Sequence, residues 1–344
     1  NLPIKISGLS GVNQISTNGY SSVALKTTSS DIYPFSGSPV SISQSSSSSN
    51  TTEEFSISLW MNPTDLTRNQ TILDLSSVTD NQIDQKENDN IRLEFFQNSN
   101  GGIGGDIYAW GENDYERLGF DDDSTSNVTT PSQVSAVNDI VQVSHMAYYG
   151  TIYLHQDGTV SSVGRNNNGQ LGLGDTTDRT TITKIPEFND GTPFNNVVSI
   201  CCGYEHTLAL HSDGTVSAWG SGNNDRLGLG NGWGNANKPT KIEYFEDGTT
   251  LFNNVIQVSA WGHHTLALHS DGTVSSWGAG GYGGLGHGDT TSISTPTIIS
   301  GLNDIIYVGT GYYKSYAIHQ DGSVSSWGRN SHGQLGHGDT TDRT

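Results

Sequence analysis

The sequence predicts an all-β protein, and two features of its composition support this prediction. No long stretch carries apolar residues at helical spacing, so amphipathic helices are not expected. Glycine occurs 43 times in 344 residues, and Ser, Thr, Asn and Asp fill much of the remainder. Gly, Asn and Asp accept the positive φ that tight turns require. This composition is typical of short strands joined by many turns.

A third feature is an internal repeat that fills the second part of the chain. The segment 207–220 returns almost unchanged at 265–278, weaker copies run over 151–164 and 315–328, and a fifth begins at Asp106. Each copy has one large apolar anchor followed by glycine, and successive anchors are roughly fifty to sixty residues apart. The anchors are Trp110, Val163, Trp219, Trp277 and Trp327, and the glycines are Gly111, Gly164, Gly220, Gly278 and Gly328.

Local physics explains each copy. Leu-Ala-Leu-His predicts a strand, Asp-Gly predicts a hairpin turn, and Thr-Val-Ser-Ser-Trp predicts a second strand with Val and Trp on one buried face. The glycine after Trp marks a position where a side chain would not fit. A polar, Gly-rich loop follows, and a further apolar strand such as 197–200 is expected to close the unit. Where Val163 replaces Trp, the unit either packs more loosely or fills the gap from elsewhere.

Units of three or four short strands cannot bury their own faces, so we expect them to stack radially as blades of a β-propeller. Three motifs recur in order: Asn-x-x-Gly-Gln-Leu-Gly-x-Gly-Asp, His-Thr-Leu-Ala-Leu and Asp-Gly-Thr-Val-x-x-Trp-Gly. Over about residues 106–344 they resemble the regulator of chromosome condensation repeat. The resemblance implies a seven-bladed ring, of which about four to five blades are visible. Because 338–344 duplicates 174–180, which lies mid-repeat, we expect the natural polypeptide to continue and this ring to be incomplete.

The first hundred residues differ in character from the repeats. The segment 55–63, Phe-Ser-Ile-Ser-Leu-Trp-Met-Asn-Pro, alternates apolar and polar residues, and further apolar strands follow it. This pattern resembles the first half of a laminin-G or concanavalin-like jelly-roll β-sandwich. The expected organisation is a partial sandwich over 1–100, a Gly-rich junction over 101–105 and the propeller over 106–344. Either the missing sandwich strands follow the propeller, or the sandwich is a smaller one.

The charge balance is strongly acidic, with 35 Asp and Glu against 15 Lys and Arg and a net charge of −20. Such a surface repels phosphate backbones, so nucleic acid is not an expected partner. The chain has no apolar run of the length that spans a membrane. Its two cysteines, Cys201 and Cys202, are adjacent in an apolar strand. That placement excludes a disulfide framework and predicts small core residues.

Few residues indicate a chemical site. No acidic pair alternates on a strand as the catalytic carboxylates of concanavalin-like glucanases do, so no catalytic residue and no cofactor is predicted. Loop carboxylates are candidates for calcium ligands, with turn formation as the alternative: Asp121, Asp122, Asp123 and Asp175. Two insertions before the apolar strand are candidate binding loops, with simple loop drift as the alternative: Phe188, Asp190 and Phe194, then Phe245, Asp247 and Phe252.

The histidines fall into two groups. One group shares a repeat position just before the hairpin turn, which indicates a structural or solvent-facing role more than a ring of metal ligands: His155, His211, His269 and His319. The other group is scattered and has no zinc-site spacing: His206, His263 and His264.

These observations favour a non-enzymatic structural or binding protein of a cell or particle surface, such as an adhesin, a surface filament or a virus fibre. The propeller is then a rigid display or assembly module, and the sandwich contacts a glycan or a protein at an extracellular or virion surface. This hypothesis includes self-assembly, or assembly with other filament or virion subunits. Two alternatives stay open. One is an intracellular propeller scaffold or regulator, exchange-factor-like or in the ubiquitin pathway, and the other is a carbohydrate-active enzyme whose catalytic part is not visible.

Overall fold

In the computed structural model, the described residues are 12–18, 21–26, 89–93, 107–111, 113–120, 125–134, 140–146, 150–230 and 234–344. They form antiparallel sheets joined by turns, with short 3-10 turns at Asp114–Glu116, Asn223–Asp225 and Gly281–Gly283. The all-β prediction is confirmed. No helix in this described part is long and apolar enough to cross a membrane.

The strands follow chain order within every sheet. An N-terminal hairpin consists of β1 (Val12–Asn18) and β2 (Ser21–Lys26). The first sheet contains β3 (Asp89–Leu93), β4 (Ile107–Gly111) and β5 (Val128–Val134). The second contains β6 (Ile140–Met146), β7 (Gly150–His155), β8 (Val160–Gly164) and β9 (Arg179–Lys184). The third contains β10 (Val197–Cys202), β11 (His206–His211), β12 (Val216–Gly220) and β13 (Ala236–Lys241). The fourth contains β14 (Val255–Trp261), β15 (His264–His269), β16 (Val274–Gly278) and β17 (Ile293–Ile298), and the fifth β18 (Ile305–Gly311), β19 (Lys314–His319) and β20 (Val324–Gly328).

The later sheets meet through their first strands, as the blades of a propeller do. β6 packs against β10, β10 against β14, and β14 against β18. Gln142 joins two of these strands, because its amide nitrogen donates to the Ile200 carbonyl at 2.8 Å and its amide oxygen accepts the Ile200 N–H at 2.9 Å. Gln257 makes the same pair of bonds with Val308, at 2.9 and 3.0 Å. The propeller prediction is confirmed.

One expectation about the blade is wrong. The apolar strand represented by 197–200 does not close the unit before it, since β10 pairs with β11 and begins the next sheet. The outer edge of each complete sheet is instead a polar strand after the Gly-rich loop, such as β13, which pairs with β12. The sequence repeat shows how often the strands recur, but it does not show which strand is the first of a blade. That assignment depends on the backbone hydrogen bonds between strands, which only the structure shows.

The apolar core consists of clusters that each span neighbouring blades. One cluster of buried side chains joins the second, third and fourth sheets, with Ile152, Leu208 and Trp277 among its members. Cys202 is buried in this cluster and Cys201 is half-buried against it, as predicted for small residues of an apolar strand. These clusters between blades fix the spacing of the blades and so position the loops at both ends.

Most of the predicted sandwich lies outside the described residues, including the motif at 55–63. Within 1–100 the structure describes β1, β2 and β3. β3 pairs with β4, from Asp89 opposite Gly111 to Leu93 opposite Ile107. The division into a sandwich and a propeller near residue 100 stays a prediction.

Candidate functional site

The predicted tryptophan anchors join each blade to the one before it. Trp219 and Trp277 are fully buried, and Trp327 is 8% exposed. The indole N–H of Trp219 donates to the carbonyl of Gln170 at 2.9 Å, and Gln170 lies in the Gly-rich loop of the preceding blade. Trp277 and Trp327 donate to the corresponding loops, to carbonyls of Arg226 at 3.2 Å and Gly284 at 3.0 Å. The side chain of Trp110 lies outside the described residues.

The glycines that follow the anchor residues have a positive φ, and backbone atoms lie close to the place where a side chain would begin. Four of them share this conformation: Gly164 at 111°, Gly220 at 103°, Gly278 at 104° and Gly328 at 99°. A Cβ on Gly220 would collide with the carbonyl oxygen of Glu205 and lie 2.9 Å from the Cα of His206. Because backbone atoms cannot move aside easily, a side chain at position 220 would not fit. Gly111, the equivalent residue, ends β4 opposite Val128.

The blade that carries Val163 is filled from a neighbouring strand. Val163 is fully buried, and Tyr153 on β7 is buried in the same cluster. A Cβ on Gly119 would meet the Tyr153 hydroxyl at 2.9 Å, just as a Cβ on Gly172 would meet the indole nitrogen of Trp219 at 2.8 Å. Of the two alternatives left open by the sequence, the structure shows that the gap is filled.

The histidines at the shared repeat position have a structural role inside each blade. The Nδ1–H of His211 donates to the backbone carbonyl of Asn195 at 3.2 Å, and its Nε2 is 3.0 Å from the hydroxyl of Ser217. The equivalent histidines bond the equivalent serines, at 2.8 Å for His155, 3.0 Å for His269 and 2.7 Å for His319. Within the described residues, no group of three or more His, Cys, Asp or Glu is arranged to hold a metal.

The two insertions are hairpins whose aromatic rings point into the core. Phe194 is 2% exposed and packs edge-on against Trp219, with ring centroids 5.5 Å apart. Phe252 is 1% exposed and makes the same contact with Trp277 at 5.6 Å. Their hairpin partners Phe188 and Phe245 pack edge-on against them, at 4.9 and 5.1 Å. Phe188, Phe194 and Phe252 are therefore core residues, and Phe245 is partly buried against the same core. Burial of these apolar rings beside the indoles is favourable because it removes apolar surface from water.

The turns of the insertions remain at the surface. Asp190 accepts the N–H and hydroxyl of Thr192 at 2.9 and 2.6 Å, and Asp247 accepts the N–H groups of Thr249 and Thr250 at 2.8 and 2.7 Å. The Thr250 contacts hold the pKa of Asp247 at about 2. The prediction that these loops bind a partner stays a prediction, now confined to the exposed turns.

Asp175 behaves as a turn-forming residue. Its carboxylate is 2.7 Å from the guanidinium of Arg179 and also accepts the N–H of Thr177 at 2.9 Å. These contacts, led by the Arg179 hydrogen bond, lower the pKa of Asp175. Asp121, Asp122 and Asp123 lie outside the described residues, so calcium binding by this group stays a prediction.

The two ends of the described blades differ in chemistry. At one end lie the Asp-Gly turns, whose carboxylates accept the N–H two residues later, for example Asp213 from Thr215 at 3.0 Å. At the other end lie the connections between the first and second strands, together with the start of each Gly-rich loop. Aromatic, histidine and arginine side chains gather at this second end. We call the following group the aromatic pole: Tyr204, His206, Arg226, Trp261, His263, His264, Tyr282, Tyr312, Tyr313 and Arg329.

Ring contacts hold the aromatic pole together across three blades. The ring centroid of Tyr204 is 5.2 Å from that of Trp261, which is 5.6 Å from that of Tyr312 at an interplanar angle of 89°. Arg329 places its guanidinium carbon 5.4 Å from the ring centroids of both Tyr282 and Tyr312. Such edge-to-face and cation–π contacts fix the side chains in one arrangement.

The histidines treated as scattered in the sequence are brought together here. His206 and His264 are fully buried at the starts of β11 and β15, and His263 lies beside Tyr204, with ring centroids 4.8 Å apart. Burial and the charge of Arg226 lower the pKa of His206 well below its ordinary value. Burial lowers the pKa of both His263 and His264 to about 4. All three imidazoles are therefore neutral at pH 7.

Sequence reasoning overlooked the aromatic pole, although a signal exists. The residues just before each Thr-Leu-Ala-Leu-type strand are Cys-Gly-Tyr-Glu-His, Ala-Trp-Gly-His-His and Thr-Gly-Tyr-Tyr-Lys in three successive repeats. Aromatic and basic residues thus recur at one repeat position, where a hairpin needs only polar or small residues. Their recurrence indicates a shared surface, and the radial stacking of the blades is what brings them into contact.

Comparison with known proteins assigns a family to the repeats. The model of the regulator of chromosome condensation (RCC1) repeat matches residues 104–147, 157–210, 213–268, 271–318 and 321–344, and a second model of this repeat matches 197–226. The ultraviolet-B receptor UVR8 of Arabidopsis thaliana is 32% identical over 203 residues, which are 58% of this chain and 43% of the receptor. The mouse E3 ubiquitin-protein ligase HERC2 is 32% identical over 205 residues, 58% of this chain and 4% of the ligase.

A solved structure supports the same fold. Prp20p of Saccharomyces cerevisiae, described with its binding to Gsp1p and histones, has a TM-score of 0.60 and 24% identity, with 74% of this chain and 60% of that chain covered. This chain spans less than half the length of the two curated relatives.

The expected role as a surface protein is wrong, and the relatives are what overturn it. They are a light receptor and a ubiquitin ligase, and they support neither an adhesin, a filament, a virus fibre nor a glycan-binding protein. The predicted extracellular or virion-surface location and the predicted filament or virion partners are wrong for the same reason. The wrong prediction was based on the acidic composition and the sandwich-like segment. Neither feature establishes a function, because one fold can serve many functions.

Proposed function

Because the chain belongs to the regulator of chromosome condensation (RCC1) repeat family, we propose that it is a protein-binding scaffold of an intracellular regulator and that it acts without catalysis of its own. Sequence similarity to UVR8 and to HERC2 supports a regulatory role. HERC2 is a ligase, but this chain corresponds to 4% of its length, so ligase activity is not carried over. The proposed contribution of the repeats is recognition of a protein partner.

The aromatic pole is the observation that carries this proposal. Protein interfaces concentrate their binding energy in Trp, Tyr and Arg side chains, and the pole offers all three in one cluster. Tyr282 is 45% exposed, and Arg329 is half-buried between Tyr282 and Tyr312. Rings that are already held in place lose little side-chain entropy on binding.

A pull-down experiment tests the proposed role. Tagged full-length chain is incubated with a lysate of its source cells, and the captured proteins are quantified for the wild type and for Arg329→Ala. We expect the variant to lose its main protein partners by at least about tenfold, since removal of one interface hot spot costs roughly 2 kcal/mol or more. Lys184→Ala is the matched control, because Lys184 is exposed at the opposite end. Equal capture by all three proteins would refute a binding role for the pole.

We also propose that residues 1–100 contain a laminin-G or concanavalin-like domain, whose last described strand, β3, pairs with β4 of the following sheet. The alternating segment 55–63 supports this. Limited proteolysis of the full chain, read by mass spectrometry, tests it. A resistant N-terminal fragment that ends within 101–105 is expected, and cleavage throughout 1–100 before any cut at that junction would contradict it.

A further inference from the structure

The two insertion hairpins lie in equivalent places, each against the outer strand of the blade that follows it. The N–H of Asn189 in the first hairpin donates to the carbonyl of Pro239 on β13 at 2.9 Å. The N–H of Glu246 in the second hairpin donates to the carbonyl of Pro296 on β17 at 3.1 Å. Because the backbone arrangement is shared, each side chain of one hairpin and its strand can be compared with its counterpart in the other.

The surface of the first hairpin is occupied by contacts within the chain. Glu187 lies opposite Pro193 in the hairpin, and its carboxylate accepts a hydrogen bond from the ammonium of Lys238 on β13 at 2.6 Å. The ammonium of Lys241 at the end of the same strand is 4.9 Å from the ring centroid of Phe188. Two lysines of the neighbouring strand therefore cover this hairpin and compensate its charge.

The second hairpin has exposed apolar side chains at the same places. Tyr244 and Leu251 lie opposite each other where the first hairpin has Glu187 and its proline, and Ile298 ends β17 where β13 ends in Lys241. Tyr244 is 41% exposed, Leu251 58% and Ile298 40%. Residues directly opposite in an antiparallel pair project to the same side. We call Tyr244, Leu251 and Ile298 the apolar hairpin surface.

Negative charge surrounds this surface. Glu243, Glu246 and Asp247 belong to the same hairpin, and all three are exposed. In the part of the chain that the structure describes, no Lys or Arg forms an ion pair with them. The neighbouring strand β17 has no charged residue, and the Thr297 hydroxyl that donates to Glu246 at 3.2 Å is neutral. The carboxylates of the second hairpin thus lack the compensation that the first hairpin has.

This combination restricts what can cover the apolar hairpin surface. A second copy of the chain would bring the same carboxylates to the same place, in a molecule of net charge −20. Anionic lipid and the phosphate backbone of nucleic acid are repelled for the same reason. A segment of a partner protein with Lys or Arg beside an apolar side chain matches both features, because its charges meet the carboxylates and its apolar group covers the exposed side chains.

We propose that the second insertion hairpin and the end of β17 bind a basic segment of a partner protein, whose apolar side chain packs on Tyr244, Leu251 and Ile298 while its Lys or Arg side chains pair with Glu243, Glu246 and Asp247. This inference goes beyond the proposed function. The hairpin leads into β14 beside the Asp-Gly turn at 213–214, since the Val255 N–H donates to the Gly214 carbonyl at 3.1 Å, and so it lies at the end opposite the aromatic pole.

A differential selection tests the proposal with the full chain. Random twelve-residue peptides displayed on phage are selected on the wild type and on the double variant Tyr244→Glu/Thr295→Lys. Thr295 stands where β13 has Lys238, so the double variant gives the second hairpin the ion pair of the first. Peptides that the wild type retains and the variant loses are expected to carry Lys or Arg next to Leu, Ile, Phe or Trp.

Affinity measurements then separate the two parts of the proposed contact. The best of these peptides is synthesised with a fluorescent label, together with a copy that has Gln in place of every Lys and Arg. We expect the Gln copy to bind at least tenfold more weakly. The affinity of the basic peptide should also fall as NaCl is raised from about 50 mM to about 500 mM, because salt screens exposed charges.

Two single variants assign the binding to the hairpin. Leu251→Ser is expected to weaken the basic peptide about fivefold or more, since it removes a central apolar contact. Val324→Ser is the matched control, because Val324 is an equally exposed apolar residue, at 63%, on β20 of the following blade. It should leave the affinity unchanged. Unfolding midpoints close to that of the wild type show that the variants are folded.

Three outcomes overturn the proposal. The first is a selection in which no basic peptide distinguishes the wild type from the folded double variant. The second is a basic peptide that binds folded Leu251→Ser as tightly as the wild type. The third is a dimer in sedimentation equilibrium that Leu251→Ser dissociates, which would make a second copy the occupant. None of them affects the test of the scaffold function by Arg329→Ala, so the two proposals fail independently.

Discussion

Tyr153 and Val163 together occupy the space that one tryptophan occupies in the following blades. The Tyr153 hydroxyl stands against Gly119, as the Trp219 indole stands against Gly172. Register explains the exchange, since Thr151 lies opposite Val163 and Tyr153 is two residues further along the same face of β7. At the equivalent place in the third blade, Ala209 leaves room for Trp219. In this blade the large side chain is therefore on β7, at Tyr153, and not on β8, at Val163.

This exchange predicts coupled effects on stability. Tyr153→Ala should lower the free energy of unfolding by about 3–5 kcal/mol, because it leaves a large cavity beside a small Val163. Val163→Trp alone should cost about 1–3 kcal/mol by overpacking against Tyr153. The double variant restores the pattern of the other blades, so it should be more stable than the sum of the single changes predicts. Urea unfolding of the four proteins measures this coupling, and strict additivity would contradict it.

The hydrogen bond from Trp219 to Gln170 should contribute measurably to the packing of two blades. Trp219→Phe removes the N–H and leaves the carbonyl of Gln170 buried, so we expect a loss of about 1–3 kcal/mol beyond any change in ring volume. Trp261→Phe is the matched control, since its N–H has no acceptor among the residues that the structure describes. Comparable losses in both variants would show that ring volume, and not the interblade bond, is responsible.

Gly220 and Gly191 separate two reasons for glycine. Both have a positive φ, at 103° and 82°, but a Cβ on Gly220 collides with backbone, whereas a Cβ on Gly191 meets nothing within 4 Å. Gly191→Ala should cost about 1–2 kcal/mol from backbone conformation alone. Gly220→Ala should cost clearly more and lower the yield of folded protein. Thermal unfolding midpoints give the comparison, and equal midpoints would argue against a steric role for the Glu205 carbonyl.

The buried histidines of the aromatic pole should make the fold sensitive to acid. The pKa of His264 is about 4 in the folded protein and about 6.5 in an unfolded chain, so the unfolded chain binds more protons between these values. Stability is then fully present above about pH 6.5 and falls as the pH drops toward 4, by on the order of 3 kcal/mol for His264. Urea unfolding at pH 7, 5.5 and 4.5 measures the slope.

A matched pair of variants assigns this pH dependence. His264→Gln removes the buried imidazole and should flatten the pH dependence between 6.5 and 4. His332→Gln changes an exposed histidine and should leave the slope as it is in the wild type. If both variants keep the full slope, the acid sensitivity originates outside the aromatic pole.

Much of the blade could be predicted from short stretches of sequence. The Asp-Gly turn at 213–214, the alternation of Val216 and Trp219, and the glycine at 220 each express a local rule about turns, strand faces or positive φ. The insertions show where such rules stop. Phe194 and Phe252 were expected at a binding surface because they lie in loops, and the structure buries them because each loop folds back onto the tryptophan of the following blade.

The sequence by itself determined the all-β class, the repeat and the residues that must be glycine or tryptophan, because these depend on neighbours within a few residues or on one repeated spacing. Tertiary structure alone decided which strand begins a blade, that Tyr153 replaces a missing tryptophan, and that Tyr204, Trp261 and Tyr312 form one surface. These residues are more than fifty positions apart in the chain. Only the radial packing of blades, driven by burial of faces that no blade can cover alone, brings them into contact.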